Sequence, residues 1–370
     1  MPMAGYAWLF TRPEIPPHDI CPEARPTLSD SPISVDALHS EVVAIMDRAG
    51  FCAPQAQALA STIVAGERDG CKSHGIYRIE GCLRTVKAGK VDPTALPELA
   101  DTGGGVIRVL AHDGFSPASF QLGLPVLCDR AQSHGVAALV INDCTHFSAL
   151  WPEVEAITAR GLVGLAMCPS YATVAPAGGR KALLGTNPLA FGWPRGEAPP
   201  YVFDFATSVA ARGEIELHRQ AGKPLPEGWA VDGAGQPTID PEAALAGAML
   251  PFGAYKGSAI STMIELLAGA MIGDMTSPEA LDYLGTTTLA PHHGELILAF
   301  APAKFAAGRA GDPMARAEML FEAILGQGAR LPSQRRFAAR AKALSQGITL
   351  SEAEFALLSR LRQHGLDAVA

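Results

Sequence analysis

Apolar residues recur at spacings of three and four in several stretches of the chain, and each such stretch predicts an amphipathic helix. Leu38, Val42, Ile45 and Met46 line one face after Ser34, a residue suited to cap a helix, and Gly50 closes the run. Pro54 opens a second helix that runs to Gly70. Ile76, Ile79, Cys82, Leu83 and Val86 mark a third from Ser73 to Gly89, with Asp92-Pro93 beyond it. From about residue 105 the texture changes to short β-rich runs: VIRVLA, VAALVIND, LVGLAMC, PLAFGWP and YVFDFAT. A helix from Ala118 to His134 separates the first two. After Pro251 a helical pattern returns from Gly257 to about Gly273, with Ile260, Met263, Ile264 and Leu267 on one face. ELILAFAP (295–302) is a further strand, and helices at about 313–326 and 351–364 finish the chain.

This order is not a regular alternation of strand and helix. No G-x-G-x-x-G follows a strand and opens a helix. Gly103-Gly104-Gly105 precedes a strand, and Gly233-Ala-Gly235 sits in a polar loop. The expected fold is therefore mixed α/β and not Rossmann. Residues 1–33 are proline-rich and aperiodic and read as a disordered or extended N-terminal segment. Residues 34–105 and 257–370 read as a helical domain, and 106–256 as a mixed-sheet domain.

Composition narrows the class. With 48% apolar and 18% charged residues in 370, the chain can bury a large core. A formal charge of -8 without a basic block argues against nucleic acid or a polybasic membrane contact. The seven cysteines are scattered singly, with no C-x-x-C pair, and read as small core residues in a reducing compartment. The N-terminus lacks the features of a signal peptide, and the apolar run Ala259 to Gly273 is too short to span a bilayer. A soluble, cytoplasmic protein is expected. His292-His293 lacks a third ligand at metal spacing, so no metal is assigned.

The candidate chemistry centres on Asp69-Gly-Cys-Lys-Ser-His-Gly-Ile-Tyr-Arg78. On a helix, His74 and Arg78 would share a face. A proton donor would then stand one turn from a planar cation able to grip a carboxylate through two hydrogen bonds. That pairing suits a small 2-oxo or 2-imino acid. A solvated His and Arg on an ordinary helix is an equal reading of these residues alone. Other motifs are weaker in isolation. His146 follows a strong strand and reads as a capping or core-edge histidine. Gly185-Thr186-Asn187-Pro188 is a dense turn signal. Asp204 could cap a helix or bind a ribose hydroxyl. Glu214 could orient a histidine. Lys256 at a helix start is disfavoured by the helix dipole unless an anion lies there. Arg335-Arg336 could meet a phosphate.

In their order, Ser73-His74-Gly75-x-x-Arg78, His146-Phe147, Gly185-Thr-Asn-Pro188, Asp204-x-Ala-Thr-Ser208, Gly228-Trp, Pro237-Thr-x-Asp-Pro241 and Lys256-Gly257 resemble the malate/L-lactate dehydrogenase family. That family includes ureidoglycolate, sulfolactate and diketogulonate enzymes. The resemblance covers roughly residues 34–345. HFSALWPEVE, GRKALLGTNPLAF, Arg212-Gly-Glu-Ile, LPEG and LPFGAYKGSA look most like its Δ1-piperideine-2-carboxylate/Δ1-pyrroline-2-carboxylate reductases. The resemblance implies a sulfolactate dehydrogenase-like fold with a mostly antiparallel sheet and an NADPH-binding domain over 106–256. It also implies a homodimer and NADPH-dependent reduction of cyclic imines to L-proline or L-pipecolate. His74 becomes the acid/base, with Ser73 beside it and Glu214, or else Asp204, as relay acid. Arg78 and Thr186 hold the substrate carboxylate. His146, Phe147, Ser148, Ala149, Leu150, Asp204, Phe205, Ala206, Arg212, Gly213, Lys256, Arg335 and Arg336 hold NADPH. Three departures stand out: Pro332-Ser-Gln-Arg-Arg where relatives carry Pro-Gly-Glu-Arg, Arg212 where close relatives carry His, and residues 1–33 without a counterpart. A 2-hydroxy-acid dehydrogenase and a ligand-binding homologue without catalysis are the rival readings.

Overall fold

The computed structural model describes residues 32–370. The expectation for residues 1–33 lies outside the described residues except at its end, where Ile33 makes an antiparallel bridge to Ile348.

Two helices open the chain, α1 (Val35–Arg48) and α2 (Ala53–Arg68). The Ser34 hydroxyl accepts the Ala37 N–H at 3.1 Å, the expected cap. The third predicted helix is broken. Lys72–His74 forms a single 3₁₀ turn, and α3 (Arg78–Lys87) starts only at Arg78. The reason is a clamp to α2. A Cβ at Gly66 would meet the His74 carbonyl oxygen at 2.5 Å, and a Cβ at Gly75 would collide with the Glu67 carboxylate. That carboxylate instead accepts the Ile76 N–H at 2.9 Å, replacing the bond a continuous helix would have made. Tertiary packing thus overrides a good local helix pattern.

A seven-stranded sheet follows. Its strands are β1 (Glu98–Ala100), β2 (Val106–Leu110), β3 (Val136–Thr145), β4 (Val163–Met167), β5 (Leu189–Trp193), β6 (Tyr201–Phe205) and, late in the chain, β10 (His292–Phe300). The order is β1-β2-β3-β10-β4-β5-β6. Only β2 and β3 run parallel, joined by α4 (Ser116–His134), so the sheet is mixed and mostly antiparallel. Short strands β7 (Ala230–Val231), β8 (Pro237–Thr238) and β9 (Ala248–Met249) make a second sheet. Gly123 lets α4 lie close on the large sheet, since a Cβ there would meet Leu139 at 2.6 Å.

The remaining helices are α5 (Trp151–Thr158), α6 (Arg212–Gln220), α7 (Pro241–Ala246), α8 (Tyr255–Ala268), α9 (Ser277–Leu284), α10 (Pro302–Phe305), α11 (Pro313–Gly326), α12 (Gln334–Gln346) and α13 (Glu352–His364). The helix expected from Gly257 to Gly273 ends at Ala268, and Ala270–Ile272 continues as 3₁₀. Six short or polar helices, α5, α6, α7, α9, α10 and α12, lack a pattern strong enough to read from the chain.

Two large cores, beside three smaller ones, stabilise the arrangement. Leu38, Ile45, Ile63, Ile79 and Leu358 belong to a helical core, while Ile107, Leu139, Val154 and Ile297 belong to the core between the large sheet and its helices. Each such side chain contributes about 1.5–3 kcal/mol when buried. Among the described residues no single helix is long and apolar enough to cross a membrane.

Candidate active site

The 3₁₀ turn sets Ser73 and His74 side by side. The Ser73 hydroxyl is 3.1 Å from His74 Nδ1, and the imidazole meets Trp151 edge-on at 6.0 Å between centroids. Burial, and then the Arg78 charge, push the imidazole down to about 3. It is therefore neutral near pH 7. Arg78 is partly buried at the first turn of α3, and its Nε donates to the Ser73 carbonyl at 2.7 Å. The proton-transfer candidate and the carboxylate-gripping candidate thus stay together although no continuous helix links them. A hydrogen bond from the Arg78 side chain to the Ser73 carbonyl does that work.

The strand end after β3 carries the next group. His146 is 3% exposed, with its Nδ1 3.9 Å from the Cys168 sulfur. Among the described residues the backbone N–H groups of Phe147, Ser148 and Ala149 donate to nothing. Three free donors in one loop fit an anionic or carboxamide group, which is what a dinucleotide offers.

Asp204 is committed elsewhere. Its Oδ2 accepts the N–H groups of Leu150 at 2.8 Å and Trp151 at 2.9 Å, capping the start of α5. Burial pushes its carboxyl up to about 6, against those two bonds. Arg336 is also committed. It is 8% exposed, pairs with Asp69 at 3.1 Å and with Glu155, and lies 5.0 Å above the Trp151 ring. Arg340 joins the same two acids. Arg335 and Lys256 are exposed, and neither makes an ion pair among the described residues.

Thr186 lies in a turn held from beneath. Its carbonyl accepts from Thr207 N at 2.8 Å. Asn187, fully buried at φ 31°, donates to Glu265 at 2.7 Å and to the Ser261 hydroxyl at 2.9 Å. The dense turn signal is therefore a polar hub between β5 and α8. Phe205 and Ala206 follow at the end of β6, with Phe205 edge-on to Phe252. Arg212 donates to Thr287 Oγ1 at 3.2 Å. Gly213 and Glu214 occupy the first turn of α6. Glu214 is exposed and touches neither Ser73 nor His74 among the described residues.

Sequence reasoning missed Trp151, the Asp69–Arg340 network and the buried acids Glu153, Glu265 and Glu295. The available signal was a lone carboxylate inside an apolar run, as in ELILAF, where an ion is too costly to bury without a role.

A mixed, non-Rossmann sheet carrying a neutral histidine beside a guanidinium and an open donor loop defines the class: an oxidoreductase scaffold for small anionic substrates. The chain belongs to the malate/L-lactate dehydrogenase family, whose sequence pattern matches residues 33–359. It is 70% identical over 339 residues to a Δ1-pyrroline-2-carboxylate reductase of Agrobacterium fabrum, covering 91% of this chain and 98% of that one. It is 56% identical to a Δ1-pyrroline-2-carboxylate/Δ1-piperideine-2-carboxylate reductase of Pseudomonas aeruginosa, covering 87% and 96%. Among solved structures, the Δ1-piperideine-2-carboxylate reductase of Pseudomonas syringae superposes with a TM-score of 0.85 at 39% identity, covering 90% of this chain and 99% of that one. The sulfolactate dehydrogenase of Methanocaldococcus jannaschii, at 22% identity and TM-score 0.79 over 90% and 96%, shares the fold. The fold expectation therefore holds. As a member of a dehydrogenase family the chain takes a nicotinamide cofactor.

Proposed function

We propose that this enzyme reduces cyclic 2-imino carboxylates, Δ1-pyrroline-2-carboxylate and Δ1-piperideine-2-carboxylate, to the corresponding L-amino acids with NADPH. The observation that carries the reading is a neutral His74 beside Arg78, in a chain 70% identical to a reductase of that name.

The residues divide the work. Arg78 and Thr186 hold the substrate carboxylate, and pairing fixes the imine carbon in one orientation. The nicotinamide supplies hydride when bound. His74 holds or moves the proton at the ring nitrogen, with Ser73 on its Nδ1. A substrate carboxylate on Arg78 offsets the second of the two causes that keep His74 neutral, so binding itself raises its proton affinity. Glu214 is the relay acid in this reading, which requires α6 to approach the 3₁₀ turn. The loop 146–150 and the 204–206 strand end flank the cofactor. Phe205, Ala206, Arg212, Gly213 and Lys256 belong to the same wall, and Arg335 is the exposed member of its pair. Arg335, Arg180 and Lys181, all exposed, support NADPH over NADH as partners for the 2′-phosphate.

The reading includes a homodimer in the cytoplasm, with 34–105 and 257–370 as its helical part and 106–256 as its cofactor part, except that β10, from the 257–370 stretch, sits in the centre of the large sheet. Exposed Met319 and Leu320 on α11 and Phe305 support a second copy as cover. The test is a panel of rates on pyrroline-2-carboxylate, piperideine-2-carboxylate, pyruvate and oxaloacetate with each cofactor. A kcat/KM for a linear 2-oxo acid above that for both imines would favour the hydroxy-acid rival. Equal or better use of NADH would remove the NADPH preference.

A further inference from the structure

Two buried acids outside the roles above join His146 beneath the donor loop. His146, Glu153 and Glu295 bring one polar atom each to within 4.8 Å of one another. They are 3%, 2% and 0% exposed. His146 Nε2, Glu153 Oε2 and both Glu295 carboxylate oxygens have no hydrogen-bond partner. Two adjacent buried carboxylates without a cation cannot both stay ionised, because each desolvated charge costs several kcal/mol. Four orphaned atoms must also be satisfied.

As placed, none of the four is hydrogen-bonded, but one arrangement reached by small side-chain rotations closes them all. Glu295 then carries the proton on one oxygen and donates it to Glu153 Oε2. His146 donates Nε2–H to the other Glu295 oxygen. Its Nδ1 is then an acceptor and faces the Cys168 thiol, a weak donor, at 3.9 Å. The tautomer, the acid pair and the thiol form one consistent chain. A bulge in β10 between His293 and Glu295 breaks the strand register at this point, as bulges do where a side chain must be re-aimed.

We infer that Glu153 and Glu295 share one proton and act as positioning residues, holding His146 in its Nε2–H tautomer under the loop proposed to take the cofactor. The inference about His146 and the acid pair stands on the cluster; its link to the cofactor rests on the proposed function. The other groups facing the cluster are Cys144 on β3, His146 after it, Cys168 after β4, Asp204 on β6 and His293 on β10, and the fields of His74 and the Arg78 guanidinium reach His146. Arg78 is a fixed cation but acts on His146 and on neither carboxylate, so no fixed cation replaces the proton. Burial raises Glu295 to about 8 and Glu153 well above the usual carboxylate range.

Glu295→Gln is the test, because the amide mimics the neutral acid but cannot ionise. A carboxyl raised in the folded state stabilises most below its unfolded value and loses that contribution as pH rises through the folded value. Wild type should therefore lose several degrees of melting midpoint relative to Glu295→Gln between about pH 5 and about pH 8, then run parallel above it. The ratio of cofactor KM at about pH 9 to that at about pH 7 should be larger in wild type than in the variant. If Glu295→Gln does not fold, infrared spectra of wild type decide. A protonated-carboxyl band present at neutral pH and lost in alkali supports the shared proton, and its absence overturns it. A pH-independent difference between the two proteins overturns it as well. So does one equivalent of divalent metal by elemental analysis, which would make the cluster a cation site. A failed cofactor KM readout with an intact melting result would remove only the link to the cofactor. Absence of imine reduction in wild type would remove the proposed function and leave the acid pair standing.

Discussion

His74 and Arg78 should fail differently. Removing a positioned acid/base costs about 10²–10⁴ in rate, so His74→Ala should lower kcat on pyrroline-2-carboxylate by that range and change substrate KM less. Arg78 grips the carboxylate before and during the reaction, so Arg78→Ala should mainly raise substrate KM. Arg78→Lys should rescue poorly, because a point charge does not reproduce the planar fork. Near-normal turnover by His74→Ala would sink the mechanism. Arg78 also donates to the Ser73 carbonyl at 2.7 Å, so its loss should loosen the turn and touch kcat as well. The pair was legible in the chain as two residue types at a spacing of four. What could not be read was that both depend on Glu67 in the last turn of α2, which accepts the Ile76 N–H.

At the scale of elements, the 3₁₀ turn is held to α2 by Gly66 and Gly75. Gly75→Ala would drive a methyl into the Glu67 carboxylate, which cannot move without giving up the Ile76 N–H. Overpacking of this kind costs about 1–3 kcal/mol. A lowered melting midpoint together with reduced kcat is expected, and an unchanged kcat would show that the clamp does not position His74. A second joint ties α2, α5 and α12. Asp69 is fully buried between Arg340, Arg336 and Arg68; burial pushes its carboxyl up, but hydrogen bonds from Arg340 and Arg68 outweigh it and hold the group below the usual range. Asp69→Asn leaves guanidinium charge under-compensated in the interior. It should cost about 3–5 kcal/mol by urea unfolding. An effect below about 1 kcal/mol, the range of an exposed ion pair, would mean that Glu155 alone compensates both arginines. Adjacent arginines after Pro332 looked like phosphate ligands because local sequence does not say where a carboxylate 267 positions away will be.

Over the whole molecule, opposing groups set the response to pH. His74, His146, His292 and His293 are held below their ordinary value, the first two at about 3 and His293 at about 4. Their contribution is present above about 6.5 and is lost as pH falls. Asp143, Glu153, Asp204 and Glu295 are raised, so their contribution grows as pH falls. Four groups of each sign largely cancel between about pH 6.5 and about pH 4.5. Unfolding free energy should be nearly flat across that window. Below about pH 4 it should drop, where Asp69 and Glu354, both lowered, take up protons. Urea titrations at half-unit steps check this, and a steep loss already between pH 6.5 and 5 would show that the histidines dominate.

By itself the chain determined the class of fold, the main strands, most of the long helices and the site motifs, because periodicity and turn chemistry are local properties. It also determined what is absent from the Rossmann pattern. Only the tertiary structure decided that β10 lies at the centre of the sheet between β3 and β4, that the third helix breaks at His74, and that Asp204 caps α5. It alone gathered Glu153 and Glu295 under His146 from elements far apart in sequence. Each of these is a long-range pairing of polar groups driven by burial, and a buried donor or acceptor takes whichever partner the packed fold brings within reach.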